Sequence, residues 1–176
     1  MERKNTKSRK PREVPEFEQK MVDLARVTRV TKGGKQLSFR ALVVIGDRKG
    51  RVGFGIGKGK DVTVSVSKAV DKAKKNLMNV SFNKIGTVPY EIHFKFKAAK
   101  IMLKPAPQGT GLKVGGPMRT VLDLAGAENI VGKMIGKSAN KINYVTATYL
   151  ALKNLPVLKN KIQENVKKQE KKEKLL

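Results

Sequence analysis

The stretch Gly33–Val62, GGKQLSFRALVVIGDRKGRVGFGIGKGKDV, contains the two clearest strand patterns of the chain. Apolar residues alternate with other residues from Leu37 to Ile45, and the alternation merges at its end into a continuous apolar run. The turn sequence GDRKG separates this run from residues 52–57, where apolar residues alternate with glycine. With the β pattern that begins at Met21, this predicts three antiparallel strands joined by hairpins.

The residues after this stretch predict a helix and then a boundary. Asp61 has the side chain of a helix N-cap, and apolar residues from Val62 to Leu77 follow at helical spacing. Residues 79–87 have no sustained period, and they contain a glycine with a proline just beyond, which predicts a boundary between two small domains. One side of the helix carries a stripe of lysines, namely Lys68, Lys72 and Lys75.

The second half of the chain returns to strand patterns and then to helices. Alternation over residues 90–96, with His93 on the polar side, continues at Ile101 and Leu103 and predicts β structure that ends at Lys104–Pro107. A glycine-rich segment leads to a short helix that starts at Pro117 and stops at Gly126. Residues 130–135 predict a strand, and Asn140 is the expected N-cap of a longer helix.

The charge of the chain indicates its class of partner. The 176 residues include 39 Lys and Arg against 14 Asp and Glu, which gives a formal net charge of +25. Most of this excess lies between the two terminal segments, in residues that are apolar enough to form a core. A folded core with so much self-repulsion needs a polyanion to offset it, so nucleic acid is the expected partner.

The same composition excludes most catalytic chemistry. The chain has no cysteine and one histidine, so it has no disulfide, thiol nucleophile or zinc-ribbon ligands, and its acidic residues are scattered. We therefore expect no catalytic residues, no metal, no cofactor and no small-molecule substrate. No apolar run reaches the length of about 20 residues that a membrane helix needs, and the start of the sequence lacks a secretory signal, so we expect a cytoplasmic protein with no membrane partner.

Basic residues beside turns and glycines are the candidate RNA contacts. Cations and free backbone amides occur together in the segment around Gly33, in the turn around Lys49 and at the start of the first helix, and phosphates bind such sites. The predicted RNA-binding residues are Arg26, Val27, Thr28, Arg29, Lys32, Gly33, Gly34, Lys35, Arg40, Arg48, Lys49, Arg51, Lys58 and Lys60.

Two glycine-rich segments partly resemble nucleotide-binding motifs. Residues 53–60 do not match the dinucleotide fingerprint in any register, and we interpret their glycines as places where a helix or an RNA backbone approaches closely. Gly132–Ser138 resembles a P-loop but has three residues between its glycines where that motif has four, which favours a loop contact to an RNA phosphate. An RNA-dependent nucleotidase that uses this segment is the second hypothesis, and a free double-stranded-RNA-binding regulator is the third.

Two motifs carry a family resemblance. The run Gly33–Val62, followed by KAVDKAKKNL, resembles the signature region of the bacterial-type small-subunit ribosomal protein five family. The run Leu103–Ile130, LKPAPQGTGLKVGGPMRTVLDLAGAENI, is similar to the second-domain motif of the same family. The resemblance extends in order from about Glu18 to Leu155, and the terminal segments match only in being basic.

The resemblance implies the fold class and the domain boundaries. The expected fold is α+β with two small domains: an N-terminal double-stranded-RNA-binding-like βββα domain and a C-terminal four-stranded α/β sandwich with two helices. The expected organisation is a basic flexible arm over residues 1–16, the first domain over 17–82, the second over 83–157, and a lysine-rich tail over 158–176.

The resemblance also implies the function. A structural constituent of the small ribosomal subunit would bind 16S-type ribosomal RNA, contact small-subunit proteins four and eight, and line the path along which messenger RNA enters. It would contribute to subunit assembly and decoding accuracy. The family's projecting loop lies beside the RNA helix where spectinomycin binds, and it maps onto Val27, Thr28, Arg29, Lys32, Gly33 and Gly34. Gly109, Gly111 and Arg119 match the region that faces protein four, and the longer basic C-terminal tail departs from the family pattern.

Overall fold

The structure, a computed structural model, describes residues 16–155 and contains two sheets. The predicted basic arm, apart from Glu16, and the predicted lysine-rich tail lie outside the described residues. The first sheet has the order β1-β2-β3-β4, is antiparallel throughout and carries one helix. Its elements are β1 (Glu18–Thr31), β2 (Gly34–Gly46), β3 (Arg51–Gly59), α1 (Val62–Lys75) and β4 (Leu77–Asn79).

The apolar run at the end of β2 is buried on both faces of the sheet. Ala41, Val43 and Ile45 pack on α1, while Leu42 and Val44 belong to the core shared with the second domain. All five are at most 1% exposed. This double burial explains why the alternation predicted for β2 merges into a continuous apolar run, as in strands covered on both sides.

Helix α1 sits directly on the glycines of β3. A Cβ atom added to Gly55 would lie 2.1 Å from the carbonyl oxygen of Ala69, and one added to Gly57 would lie 2.0 Å from that of Ser65. Any side chain at these positions would push the helix off the sheet. Of the two approaches expected for these glycines, a helix or an RNA backbone, the structure therefore places the helix there.

The second domain contains a four-stranded sheet of order β5-β6-β8-β7 with two helices on one face. Strands β5, β6 and β8 are antiparallel, and β7 runs parallel to β8. Its elements are β5 (Ile92–Phe96), β6 (Ala99–Pro105), β7 (Leu112–Lys113), α2 (Gly116–Ala125), β8 (Ile130–Ile135) and α3 (Lys141–Lys153).

Two helix termini of the second domain follow the predicted rules. Gly126 ends α2 in the left-handed region with φ 85°, where a residue with a side chain would be strained. The Asn140 side chain accepts a hydrogen bond from the Ile142 amide at the start of α3, and in the first domain the Asp61 side chain accepts one from the Val62 amide at the start of α1. Within the described residues, no helix is long and apolar enough to cross a membrane.

The two domains meet along one continuous core. The Arg48 amide donates to the carbonyl oxygen of Leu124 at 3.0 Å, and the Gly50 amide donates to that of Ala125 at 3.0 Å, so the β2–β3 turn is bonded to the end of α2. The Phe54 and Tyr149 rings pack edge to face with centroids 5.0 Å apart. These contacts fix the orientation of the first sheet relative to the second domain.

The α+β fold with two four-stranded sheets confirms the predicted fold class, and the structure corrects three details. Leu77 was expected in the first helix, but the helix ends at Lys75, and residues 77–79 form a fourth strand of the first sheet. The glycine-rich segment contains the short strand β7, which is too short to show a period. Residues 132–135 of the near P-loop lie in β8, as the strand predicted over residues 130–135 requires, and not in the loop contact that the P-loop likeness favoured.

The contact between α1 and β3 predicts a strong position dependence for glycine substitutions. Gly57→Ala should destabilise the protein by about 2–3 kcal/mol, because the added methyl group overlaps the Ser65 carbonyl and the helix must move. Gly33→Ala is the matched control, since no atom lies within 4 Å of an added Cβ there, and its effect should stay within about 0.5 kcal/mol. Urea unfolding measures both, and equal effects would contradict the packing argument.

Candidate nucleic-acid interface

The β1–β2 hairpin projects beyond the rest of the first sheet. The last residue pair between β2 and β3 is Phe39 with Gly59, yet the β1–β2 pairing continues for five further pairs to Thr31 and Gly34. At about 3.3 Å per residue, this two-stranded ribbon extends roughly 16 Å past β3. The predicted residues 27–34 thus form an exposed projection rather than part of a packed surface.

The hairpin carries positive charge only. The sequence from Leu24 to Gly46 contains five Lys and Arg residues and no Asp or Glu. Because side chains alternate across a strand, Arg26 and Lys35 lie on one face of the ribbon and Arg29 lies on the other, with Lys32 at the tip. All four are exposed. The ribbon can therefore contact phosphate groups on both of its sides.

Arg40, Lys58 and Lys60 lie at the base of this ribbon. Arg40 and Lys58 are direct cross-strand partners on the face that also carries Arg29. Like charges placed directly opposite each other destabilise a sheet, and a bound anion would relieve this repulsion. Lys60 follows β3 and is exposed. The structure thus brings eleven of the fourteen predicted residues to one end of the sheet: the eight that lie between Arg26 and Lys35, with Arg40, Lys58 and Lys60.

The other three predicted residues lie at the opposite end. Arg48 and Lys49 occupy the β2–β3 turn and Arg51 is the first residue of β3, about 40 Å from the hairpin tip along the thirteen residues of β2. Two of the three are engaged within the chain: Arg48 Nε lies 2.8 Å from Glu18 Oε2, and Arg51 Nε lies 2.7 Å from Asp47 Oδ2. Their charge is therefore partly neutralised by intramolecular ion pairs.

Asp47 organises this turn. Its carboxylate accepts hydrogen bonds from the amides of Lys49 at 2.8 Å and Arg51 at 3.0 Å, in addition to the Arg51 side chain. Burial alone would raise the pKa of Asp47, but the hydrogen bonds from Arg51 and Lys49 outweigh it, and the pKa lies below its ordinary value. Asp47 is a turn residue that charge patterns do not reveal, because two of the three hydrogen bonds to its carboxylate come from backbone amides.

The predicted protein-interface residues lie around the glycine-rich segment. The amides of Gly109 and Gly111, both at positive φ, donate to the Oδ1 atom of Asn129 at 3.0 and 3.2 Å. Asn129 is 4% exposed, and its Nδ2 donates to the Ile85 carbonyl oxygen. Arg119 is exposed on α2. Asn129 is not among the residues predicted from the sequence, although its side chain holds the glycine segment in shape.

The near P-loop has no phosphate cradle. Gly132 lies in β8, where an added Cβ would meet Leu103 Cδ2 at 2.8 Å, so its position is explained by core packing. Lys133 points from the strand to solvent, and the turn with Gly136 and Lys137 begins only after Ile135. Extended backbone cannot wrap a phosphate with successive amides, so the geometry does not support nucleotide hydrolysis here.

Comparisons with known proteins match two family models, one in each half of the chain. The family described as ribosomal protein S5, N-terminal domain, matches residues 17–81, and the family described as ribosomal protein S5, C-terminal domain, matches residues 94–165. The small ribosomal subunit protein uS5 of Mycoplasmopsis agalactiae is 49% identical over 140 residues, which cover 80% of this chain and 60% of that protein.

Two other relatives that match this chain are also small ribosomal subunit proteins. The small ribosomal subunit protein uS5 of Thermotoga maritima is 45% identical over 80% of this chain and 78% of its own length. The small ribosomal subunit protein uS5c of Spinacia oleracea is 45% identical over 85% of this chain and 48% of its own length. The match therefore spans less than two thirds of the Mycoplasmopsis and Spinacia proteins.

The two-domain α+β fold and the projecting cationic hairpin define a basic protein suited to binding a polyanion. The matches specify the family: the chain belongs to the ribosomal protein S5 family. This is a family of ribosomal structural proteins, so the resemblance found in the sequence and the prediction of a non-enzyme are confirmed.

The hydrogen bonds of Asp47 predict a pH-dependent contribution to stability. Asp47→Asn should cost about 1–3 kcal/mol at neutral pH, because charge-assisted bonds to two amides and Arg51 are weakened. A lowered carboxyl pKa stabilises the fold above the ordinary aspartate pKa of about 3.9, and this contribution is lost as the pH falls through the lowered value. Urea unfolding of both proteins between pH 7 and pH 2 should show their difference shrinking below about pH 4, and a constant difference would contradict it.

Proposed function

We propose that this chain is a structural constituent of the small ribosomal subunit and that it binds 16S-type ribosomal RNA through the β1–β2 hairpin. The observation that carries the proposal is the ribbon itself, which projects roughly 16 Å past β3, has exposed cations on both faces and has no carboxylate. Lys and Arg side chains would neutralise RNA phosphates and release counterions, and RNA would be recognised by shape rather than by sequence.

The hairpin base extends this surface. Arg40 and Lys58 repel each other across the β2–β3 pair, so RNA phosphate is the counter-charge that we propose for them. For Arg48 and Arg51 we propose a first role in the β2–β3 turn, since each already has a carboxylate partner. Lys49 has an exposed side chain at the same turn and stays a proposed RNA contact.

The finer roles rest on the resemblance to the family. We propose small-subunit proteins four and eight as protein partners, with Gly109, Gly111 and Arg119 facing protein four. We also propose contributions to subunit assembly, to decoding accuracy and to the path of messenger RNA, and a position of the hairpin beside the spectinomycin site. The rigid anchoring of the glycine segment by Asn129 supports an interface there, because it presents two backbone turns in a fixed shape.

The first test is the sedimentation of the protein in a sucrose gradient of cell lysate at moderate and at high salt. Wild-type protein should migrate with small ribosomal subunits and resist moderate salt, because many phosphate contacts must break together. A peak at the top of the gradient at moderate salt would contradict the ribosomal proposal and favour a free double-stranded-RNA-binding regulator.

The second test changes the hairpin. Arg29→Ala with Lys32→Ala should weaken binding to ribosomal RNA and reduce the slope of log affinity against log salt by about 2, as expected for two lost phosphate contacts. Both residues are exposed, so the free energy of unfolding should change by less than about 0.5 kcal/mol. Lys74→Ala with Lys75→Ala removes the same charge from α1 and is the control. An equal loss in the control, or a large drop in melting temperature, would contradict the proposed contact.

A further inference from the structure

The open face of the second sheet is a cationic surface that the proposed function does not use. Helices α2 and α3 cover one face through Ile92, Ile101 and Leu103, which are at most 1% exposed. Alternation places the neighbouring side chains on the other face. These are His93 and Lys95 on β5, Lys100, Met102 and Lys104 on β6, Lys113 on β7, and Val131, Lys133 and Ile135 on β8.

The charges on this open face are poorly compensated. Glu91, just before β5, pairs with His93 at 2.8 Å and with Lys104 at 3.3 Å. Within residues 16–155, no ion-pair partner within 4 Å is found for Lys95, Lys100 or Lys133. Lys95 and Lys100 are moreover direct cross-strand partners, an unfavourable arrangement of like charges that a bound anion would relieve.

The floor between these lysines is apolar. Met102 pairs with Lys133 across β6 and β8, and Val131 and Ile135 stand at either side of Lys133 on the same face. Met102 and Val131 are half-buried, and Ile135 is 41% exposed. Cations surrounding a flat apolar floor match a ligand whose phosphates lie outside and whose sugars or bases can lie on the floor.

We propose that this open sheet face is a second RNA-binding surface, separate from the hairpin, and that it takes an unpaired RNA strand. The choice of RNA among polyanions rests on the proposed function. A duplex buries the faces of its bases and could use only the lysines, whereas an unpaired strand can use both the lysines and the apolar floor. The four strands provide a surface roughly 15 Å wide, which suits a short segment of a few nucleotides.

The test is binding of the full-length protein to a short single-stranded oligoribonucleotide without secondary structure, measured by fluorescence anisotropy at several salt concentrations. The variant Lys95→Gln, Lys100→Gln and Lys133→Gln should lose at least about tenfold in affinity at 0.1 M salt, and its log–log salt slope should fall by about 2, since single strands contribute about 0.7 per phosphate contact. Its melting temperature should not fall, because the variant removes the repulsion between Lys95 and Lys100.

Two matched variants separate this surface from general charge effects and from the hairpin. Lys68→Gln, Lys72→Gln and Lys75→Gln removes three charges from α1 and should keep most of the single-strand affinity. Adding Arg29→Ala and Lys32→Ala to the open-face variant should lower the affinity further, because separate sites contribute independently. An equal loss in the α1 variant would mean that only net charge matters, and no further loss in the combined variant would make the two surfaces one site. Either result overturns the inference.

Binding to a duplex of the same sequence tests the choice of an unpaired strand, and the sedimentation experiment separates this inference from the proposed function. Duplex binding should fall less than single-strand binding in the open-face variant, and equal losses would overturn the choice of an unpaired strand. A variant that binds the oligonucleotide normally overturns this inference, whereas the proposed function fails only if wild-type protein does not migrate with small subunits. The two failures are therefore distinguishable.

Discussion

The burial of β2 on both of its faces is the constraint on which the rest of the structure depends. Ala41, Val43 and Ile45 need α1 on one side, and Leu42 and Val44 need the second domain on the other. Glycines on β3 let α1 approach closely enough to close the first side. Because the end of β2 is held from both sides, its other end can extend into solvent as half of a hairpin without losing its register.

This arrangement joins two small domains into one rigid frame. Neither sheet covers its apolar residues alone, and the core shared by Leu42, Val44 and the helices of the second domain removes that surface from water. The β2–β3 turn is bonded to Leu124 and Ala125 and is held by Asp47 and Arg51. A basic protein with a net charge of +25 must keep its shape against self-repulsion, and these contacts supply local attraction at the junction.

Much of the fold could be predicted because β2, β3 and the three helices have long periods or clear caps. The strands β4 and β7 could not, since they have three and two residues and exist only through pairing with β3 and β8. The cationic hairpin could be predicted because the sequence from Leu24 to Gly46 contains five Lys and Arg residues and no Asp or Glu. The ion pairs of Arg48 with Glu18 and Arg51 with Glu16 join distant residues, so sequence alone could not separate these arginines from the hairpin group.

The open face of the second sheet shows why strand order matters for function. Lys95, Lys100 and Lys133 each lie on the polar side of a strand in which polar and apolar residues alternate, and this alternation can be seen in the sequence. Only the order β5-β6-β8 places the three lysines on adjacent strands. A fold maintains repulsion between Lys95 and Lys100 only when other contacts exceed it, here the core residues on the opposite face. The stable core of the second domain thus permits a surface on which lysines repel each other until an anion binds. Arg40 and Lys58 at the base of the hairpin repel each other in the same way, and a bound anion would compensate their charge.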